Sequence, residues 1–556
     1  MPRRKERTCL YISIPVICII IIVAVVCVAR FKQQCSVGLF KKAAVAADSE
    51  TCSKIGRDIL KSGGSAVDGA IATLLCTSII NPQSMGIGGG SIFTIMEKSG
   101  KVRVISCRET VPKGFKPNLL AECPETFQPK SGVHWIGVPG EIRGYERAHK
   151  LYGRLPWNSL FQPTIKMARE GVPVGDVLAR FLPVLSKESP ESPLRQLFQN
   201  EQGELLKKGD IVKFVKLAET LEIIAQKGPD AFYIGDIGKH LVSDIQAAGG
   251  AISMEDLKSF KVSESDAWDV TLGQYDMYFP PPPAGGATLS FILNTMLGYN
   301  LNQESLKGKE KVLTFQRYVE ACKFANGLKK FMKDPNFSSQ TEAVEIIQKL
   351  FAEKVRAKIT SDRTHDVGYY NVTPHLDSHG TTHVSVIAED GTAVSVTSTI
   401  NYIFGSTVLS PKTGILLNNE LIDFCGKTDK IHAGEQPPSS MSPVILHSPS
   451  EKHTVVIGAS GGSMIITGVA LTIMNFLWFG KNLEDSIAAP VVYVDSKNIL
   501  SFEPSFDEAV VEALTKTGHK IQGPRMFYNV VNAVSKEENC IDAVSDLRKM
   551  GKAAGY

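Results

Sequence analysis

The sequence contains eleven cysteines, yet no two stand at the CxxC spacing of a structural metal site, so a zinc-stapled module is excluded as its organising principle. It also lacks a charge excess: Lys and Arg number 61 against 57 Asp and Glu, a formal net of +4, far from the basic footprint of a nucleic-acid binder. The glycine-rich run Ser84-Met-Gly-Ile-Gly-Gly-Gly90 is followed by neither Lys-Ser nor Lys-Thr, which removes a phosphate-cradling P-loop and leaves a tight turn. No internal repeat or low-complexity tract breaks the chain, so neither a solenoid nor disorder is expected. What is present is ordinary globular composition, 43% hydrophobic and 21% charged over 556 residues. That is enough for one large core or a few domains acting on small molecules or peptides.

Cys9 to Ala29 form an uncharged apolar run of 21 residues, long enough at about 1.5 Å per residue to cross a hydrocarbon core of about 30 Å. Arg3, Arg4, Lys5 and Arg7 precede it. The positive-inside rule then makes 1–8 a cytoplasmic tail, 9–29 a transmembrane signal anchor and 30–43 a stalk, with the remainder outside: a single-pass type II protein of the plasma membrane. A cleaved signal peptide is the competing reading, but the run is longer than an h-region and no clear small-x-small site follows it. Eight cysteines lie beyond the anchor, an even set able to pair in an oxidising compartment, in a connectivity that spacing alone does not give. The sequons Asn336-Phe-Ser and Asn371-Val-Thr suit glycosylation of an outward-facing domain.

Ser65 and Asp68 predict a capped, buried helix running to Ile80, and Pro280 to Pro283 with Ala-Gly-Gly opens into a helical run from Leu289 to Leu297. From His383 the period changes to two: His383 to Ala388 and Ala393 to Ile400 alternate around a two-residue Asp390-Gly391 turn, a β-hairpin. Thr381, His383 and Ser385 then share one face, as do Thr397 and Thr399 on the partner strand, so hydroxyls meet across it. Thr381 follows Gly380 at the entry to this hairpin. A hydroxyl there can attack the Gly380 carbonyl, and the new N-terminus would carry its own base, an α-amine with a pKa of about 7.7–8.0.

These residues and others in order along the chain resemble the γ-glutamyltransferase family, also called glutathione hydrolases. The matching stretches are Ala44-Val-Ala-Ala-Asp48, the 84–90 run, Val138-Pro-Gly-Glu-Ile-Arg-Gly144, Thr399-Ile-Asn401, Asn418-Asn-Glu420, Ser439-Ser-Met441 and Gly458-Ala-Ser-Gly-Gly462. Gly132-Val-His-Trp-Ile136, the tetraproline and the ending Ala543 to Lys549 point to its leukotriene-hydrolysing members. The resemblance implies an α+β fold, the αββα sandwich of the N-terminal-nucleophile hydrolases. It implies a proenzyme that cuts itself between Gly380 and Thr381 into a large subunit, 44–380 after the stalk, and a small one, 381–556. It assigns Thr381 as nucleophile, Thr399 as its hydrogen-bond partner, and Gly461 and Gly462 as oxyanion donors. Arg108 with Ser439 and Ser440 would clamp the donor's α-carboxylate, and Asn401, Glu420 and Asp423 its ammonium. Cys52–Cys76 would be a disulfide. No metal or cofactor is implied; the expected partners are glutathione, its S-conjugates, leukotriene C4, water, and acceptor amino acids or dipeptides.

Thr382 stands where an alanine often follows the nucleophile, and Ile403 replaces an aromatic residue found in the better transpeptidases, so hydrolysis is expected over transfer. Two other readings compete. Gly458-Ala-Ser460-Gly-Gly462 also fits a G-x-S-x-G elbow, with Asp485 or Asp495 and His519 completing a serine-hydrolase order. The other is an uncleaved, catalytically silent surface glycoprotein of the same fold.

Overall fold

The hairpin read from period-two alternation lies at the centre of the structure, a computed structural model that describes residues 35, 38–124, 132–373, 377, 380–523 and 529–556. The strands of the two large sheets are β1 (Ala44–Ala46), β2 (Gly90–Met96), β3 (Val102–Ser106), β4 (Ser263–Asp266), β5 (Trp268–Leu272), β6 (Tyr275–Phe279) and β7 (Thr382–Ile387). They continue with β8 (Ala393–Thr399), β9 (Val444–Ser448), β10 (His453–Ser460), β11 (Val530–Glu537), β12 (Cys540–Ser545) and β13 (Ala554–Gly555). A seven-stranded antiparallel sheet runs β13-β1-β7-β8-β2-β3-β4, and a six-stranded one β12-β11-β10-β9-β6-β5. Both sheets contain strands from before and after residue 380, so neither part of the chain has a sheet of its own.

β7 and β8 pair with Thr397 opposite His383 and Ser398 opposite Thr382. The connecting loop is one residue longer than expected. Ala388 N–H donates to the Thr392 carbonyl and Gly391, at φ 88°, donates back to Ala388. Glu389-Asp390-Gly391 is therefore a three-residue loop closed by a left-handed glycine.

Helices α1 (Glu50–Lys61) and α2 (Ala66–Ile80) pack on the seven-stranded sheet, and α3 (Gly286–Leu297) and α4 (Ile465–Leu477) on the six-stranded one, giving the αββα layering. α2 starts at the expected box: Ser65 Oγ accepts from Asp68 N–H while the Asp68 carboxylate accepts from Ser65 N–H. It is buried through all but its last residue, as its all-round apolar sequence requires.

Where the two sheets meet beneath the start of β7, the contact is polar. His383 bonds Thr397 Oγ1 at 2.9 Å and Ser385 Oγ at 3.0 Å, while Ser385 Oγ donates to the Asn532 carbonyl and Ser395 Oγ to that of Ile457. Burial drives the His383 pKa down to about 3, so the ring is a neutral bridge between hydroxyls. Gly458 of β10 lies against it so closely that a Cβ there would sit 2.3 Å from the ring.

Among the described residues three disulfides are present, Cys35–Cys540, Cys52–Cys76 and Cys123–Cys425, while Cys107 and Cys322 are free and buried. The Cys52–Cys76 pairing holds and joins α1 to α2. The eight outward cysteines thus do not pair as a full set. The described part of the expected stalk is built into the body: Phe40 pairs with Ile541, and Lys41 and Lys42 donate to the Tyr556 carbonyl. No helix among the described residues is long and apolar enough to cross a membrane; the expected anchor, 9–29, lies outside them.

Gly458→Ala is expected to push His383 off its bonds and separate β10 from β7, costing about 2 kcal/mol. Thermal denaturation checks this: an unchanged midpoint would rule out so close an approach of the sheets.

Candidate active site

Thr381 enters β7 with φ at 90°, and Asn401 leaves β8 with φ at 73°. Both are buried non-glycine residues in a region L-residues avoid, a strain of about 1–3 kcal/mol each that the surrounding packing must hold. Gly380 has no side chain to accommodate; a Cβ there would lie 2.0 Å from the Asn401 carbonyl oxygen. The bond between Gly380 and Thr381 is therefore wedged between the two hairpin ends.

The N–H and the carbonyl of this bond both have backbone partners. Thr381 N–H donates to the Ser84 carbonyl at 3.1 Å, and the Gly380 carbonyl accepts from Gly461 N–H at 3.0 Å. Thr381 Oγ1 donates to Thr399 Oγ1 at 3.2 Å, and Thr399 Oγ1 also accepts from Asn401 N–H at 2.8 Å. Gly461 and Gly462 take φ of 116° and 57°, which turns the chain from β10 toward α4 and lets the Gly461 N–H face the carbonyl. A hydroxyl held beside a carbonyl that already rests on a backbone donor is an arrangement suited to acyl transfer.

The sequence reading missed a second set of contacts here. The Lys549 ammonium donates to the Thr381 carbonyl at 2.6 Å, to Asp48 Oδ2 at 2.7 Å and to Ser460 Oγ at 3.1 Å. Asp48 also accepts from Thr382 Oγ1 and from Asn532 Nδ2, each at 2.7 Å. Asp48 and Lys549 are 501 positions apart and both buried. Each falls in a stretch that carried the family resemblance, but only the fold reveals the pair.

Ser460 is thus committed to Lys549. The His519 ring bonds Lys323 and Gln316, Asp495 accepts from the backbone of Lys497 and Ile499, and Asp485 bonds Asn482 at the cap of its helix. The serine-hydrolase triad is not assembled.

Arg108 follows β3 and is fully buried. Its guanidinium donates to Glu420, to Asp423 at 2.7 Å, and to the carbonyls of Pro437 at 3.3 Å and Pro438 at 3.1 Å. The expected carboxylate clamp and the expected ammonium acceptors are therefore one ion-pair network. Ser439 and Ser440 come directly after the clamped prolines; Ser439 N–H donates to the Pro283 carbonyl and its Oγ accepts from Met441 N–H. Asn401 Nδ2 donates to the Asn419 carbonyl, which joins the β7–β8 hairpin to the turn Glu420–Phe424. The Cys123–Cys425 bridge fixes that turn's far end. Burial pushes the Glu420 carboxyl up, against the pull of Arg108, and the neighbouring Glu109 is pushed well up by burial and by Glu420.

A family model described as gamma-glutamyltranspeptidase matches residues 52–556. The chain is 46% identical to glutathione hydrolase 5 proenzyme of Rattus norvegicus and 45% identical to that of Homo sapiens, each match covering 96% of this chain and 96% of the relative. Among solved structures, cephalosporin acylase from Bacillus halodurans superposes with a TM-score of 0.83 at 24% identity, over 94% of this chain and 97% of that one, a likeness of fold. A match spanning nearly the whole length at this identity, on a sandwich that brings the expected threonine, arginine and carboxylates together, leaves one conclusion: the chain belongs to the gamma-glutamyltranspeptidase family, within the enzyme class of the glutathione hydrolases.

Proposed function

We propose that this chain is a self-cleaving γ-glutamyl hydrolase that uses Thr381 as its nucleophile. The observation that carries the reading is the contact between the Gly380 carbonyl and Gly461 N–H, because it seats the bond to be cut on the donor that an oxyanion needs. The Thr381 hydroxyl adds to that carbonyl, the amide becomes an ester, and water releases the new N-terminus. The freed α-amine, beside the Ser84 carbonyl, then serves as base.

In turnover the same hydroxyl attacks the donor's γ-amide and its proton passes to the departing amine. The γ-glutamyl ester is opened by water, or by an acceptor amino acid or dipeptide. Arg108, Ser439 and Ser440 receive the α-carboxylate, and Asn401, Glu420 and Asp423 the ammonium. Glutathione, its S-conjugates and leukotriene C4 are the proposed donors. The names of the relatives, which include the word proenzyme, support the processing step. Residues 9–29 would anchor the protein as a single-pass type II protein of the plasma membrane with the body outside; three disulfides and the exposed sequon residues Asn336 and Asn371 support an oxidising, outward location. A silent, uncut glycoprotein would have no need of the strain held at Thr381 and Asn401.

Thr381→Ala is expected to abolish both processing and glutamate release, whereas Thr381→Ser retains both at reduced rate. N-terminal sequencing of the reduced, denatured protein checks the first; a wild type that stays whole would sink the reading. Lys549→Met leaves Asp48 buried without its cation, and should cost about 3 kcal/mol of stability and slow processing, read by thermal denaturation and by fragment yield.

Donor binding should depend on pH in a stated direction. Glu420 must be ionised to hold the ammonium, and burial raises its pKa, so affinity is present at high pH and lost as pH falls, above the ordinary carboxylate range of about 4.3. The inhibition constant of free glutamate reads binding without the base. A midpoint in the ordinary range, or one that survives Glu420→Gln, would refute the assignment.

A further inference from the structure

Helix α4 leads away from the Gly461–Gly462 turn, and Leu471 and Asn475 in its last two turns line a cavity of about 390 Å³. Leu306, Lys311 and Phe315 line it from before residue 380, and the rest of its wall comes from after that position. The two parts of the chain therefore meet around this space. One side is aromatic: Phe506 stands edge-on to Phe315 with ring centroids 5.0 Å apart, and Phe502 supports it from behind, also at 5.0 Å.

The charge of the lining is uneven, with Lys311 and Lys481 against one carboxylate, Asp507. That carboxylate is already committed. It pairs with the Lys311 ammonium, and its Oδ1 accepts from the N–H groups of Ala509 and Val510 at the start of the helix Glu508–Lys516. Lys481 is half-buried and, among the described residues, has no carboxylate within ion-pair distance. Asp485, four positions on, bonds Asn482 instead. The Lys481 N–H donates to the Asn475 carbonyl at 3.2 Å, which fixes the lysine to the end of α4. Burial holds its ammonium below the ordinary lysine range; Asp485 opposes that shift and Lys311 adds to it.

A half-buried cation beside a like charge, with no counter-ion of its own, raises the free energy of the empty site, and an anion that enters relieves it. An inorganic anion would satisfy Lys481 but leave Leu471, Phe315 and Phe506 facing water, whereas an anion on an alkyl chain satisfies the cation and covers the hydrocarbon together.

We propose that this cavity is a binding site for a medium-chain fatty carboxylate, its head group on Lys481 and its chain along Phe315, Phe506 and Leu471. The volume lies in the range of about 300–1,000 Å³ that small-molecule sites occupy. Because the wall is built from both sides of residue 380, an occupant ties the two parts together and stabilises the fold by mass action. The site does not depend on the γ-glutamyl reading, since no step at Thr381 enters the argument.

Isothermal titration of the whole protein with octanoate, octanol and octylammonium, whose chains are equal and whose head groups are not, tests the proposal. Octanoate is expected to bind at one site per chain with a Kd of about 0.1–1 mM, and the other two about tenfold more weakly or less tightly still. Lys481→Gln should weaken octanoate about tenfold and leave octanol unchanged. Ala489→Trp, which fills the cavity from its rim with the charges intact, should abolish octanoate binding. Saturating octanoate should raise the thermal midpoint of the wild type but not of Ala489→Trp. Equal affinity for the three head groups, octanoate binding that survives Lys481→Gln at full strength, or no binding of octanoate up to about 10 mM overturns the site. Lys481→Gln, at a partly exposed position, decides alone if Ala489→Trp does not fold.

Discussion

A single buried ammonium joins the parts of this protein that the chain separates most. Lys549 comes from the last turn before the C-terminus, Asp48 from the end of the first strand, Thr381 from the entry to the central hairpin and Ser460 from the end of β10. A lysine is seldom buried completely, and here the ammonium is matched by a carboxylate, a carbonyl and a hydroxyl. Because one of those partners is the Thr381 carbonyl, the backbone of the residue after Gly380 cannot rotate without exposing a charge. The positive φ of Thr381 is thus held in place by electrostatics from both ends of the chain as well as by the packing of its hairpin.

The Arg108 network shows a related economy. A pocket for a zwitterion needs opposite charges a few ångströms apart, and in water-excluded surroundings such groups attract each other when no ligand is present. The guanidinium accordingly rests on Glu420 and Asp423. Under the proposed function, a bound γ-glutamyl group would exchange part of this pairing for its own carboxylate and ammonium, so the network would not be desolvated afresh on binding. Glu109, a further buried carboxylate at the same guanidinium, adds a like charge whose protonation is favoured by burial.

How much of this the sequence reveals follows from distance along the chain. The hairpin and the Ser65–Asp68 cap depend on neighbours within about twenty positions, and period and capping chemistry suffice to read them, whereas period permits the meeting of Thr381 with Thr399 and the family resemblance singles it out. The loop holds three residues where two are expected because Asp-Gly serves both loop lengths, and the pairing of Ala388 with Thr392 decides between them. The family resemblance puts Arg108, Glu420 and Asp423 in one site, but their mutual pairing depends on geometry. The Lys549–Asp48 contact, the free Cys107 and Cys322, and the knitting of residues 40–43 to the C-terminus all arise from sheet order, which no local pattern encodes.

The Cys35–Cys540 and Cys123–Cys425 bridges each span residue 380. In terms of connectivity, the peptide bond at Gly380–Thr381 closes two covalent rings, one through each bridge. Opening it would leave the molecule in one covalent piece, with two new chain ends and lower topological constraint between them. Loss of either bridge alone would still leave a link, so the association of the two parts is redundant. Under non-reducing conditions the cut and uncut forms would differ in shape and in the mass of one water molecule, and a reductant would turn that small difference into two separate polypeptides.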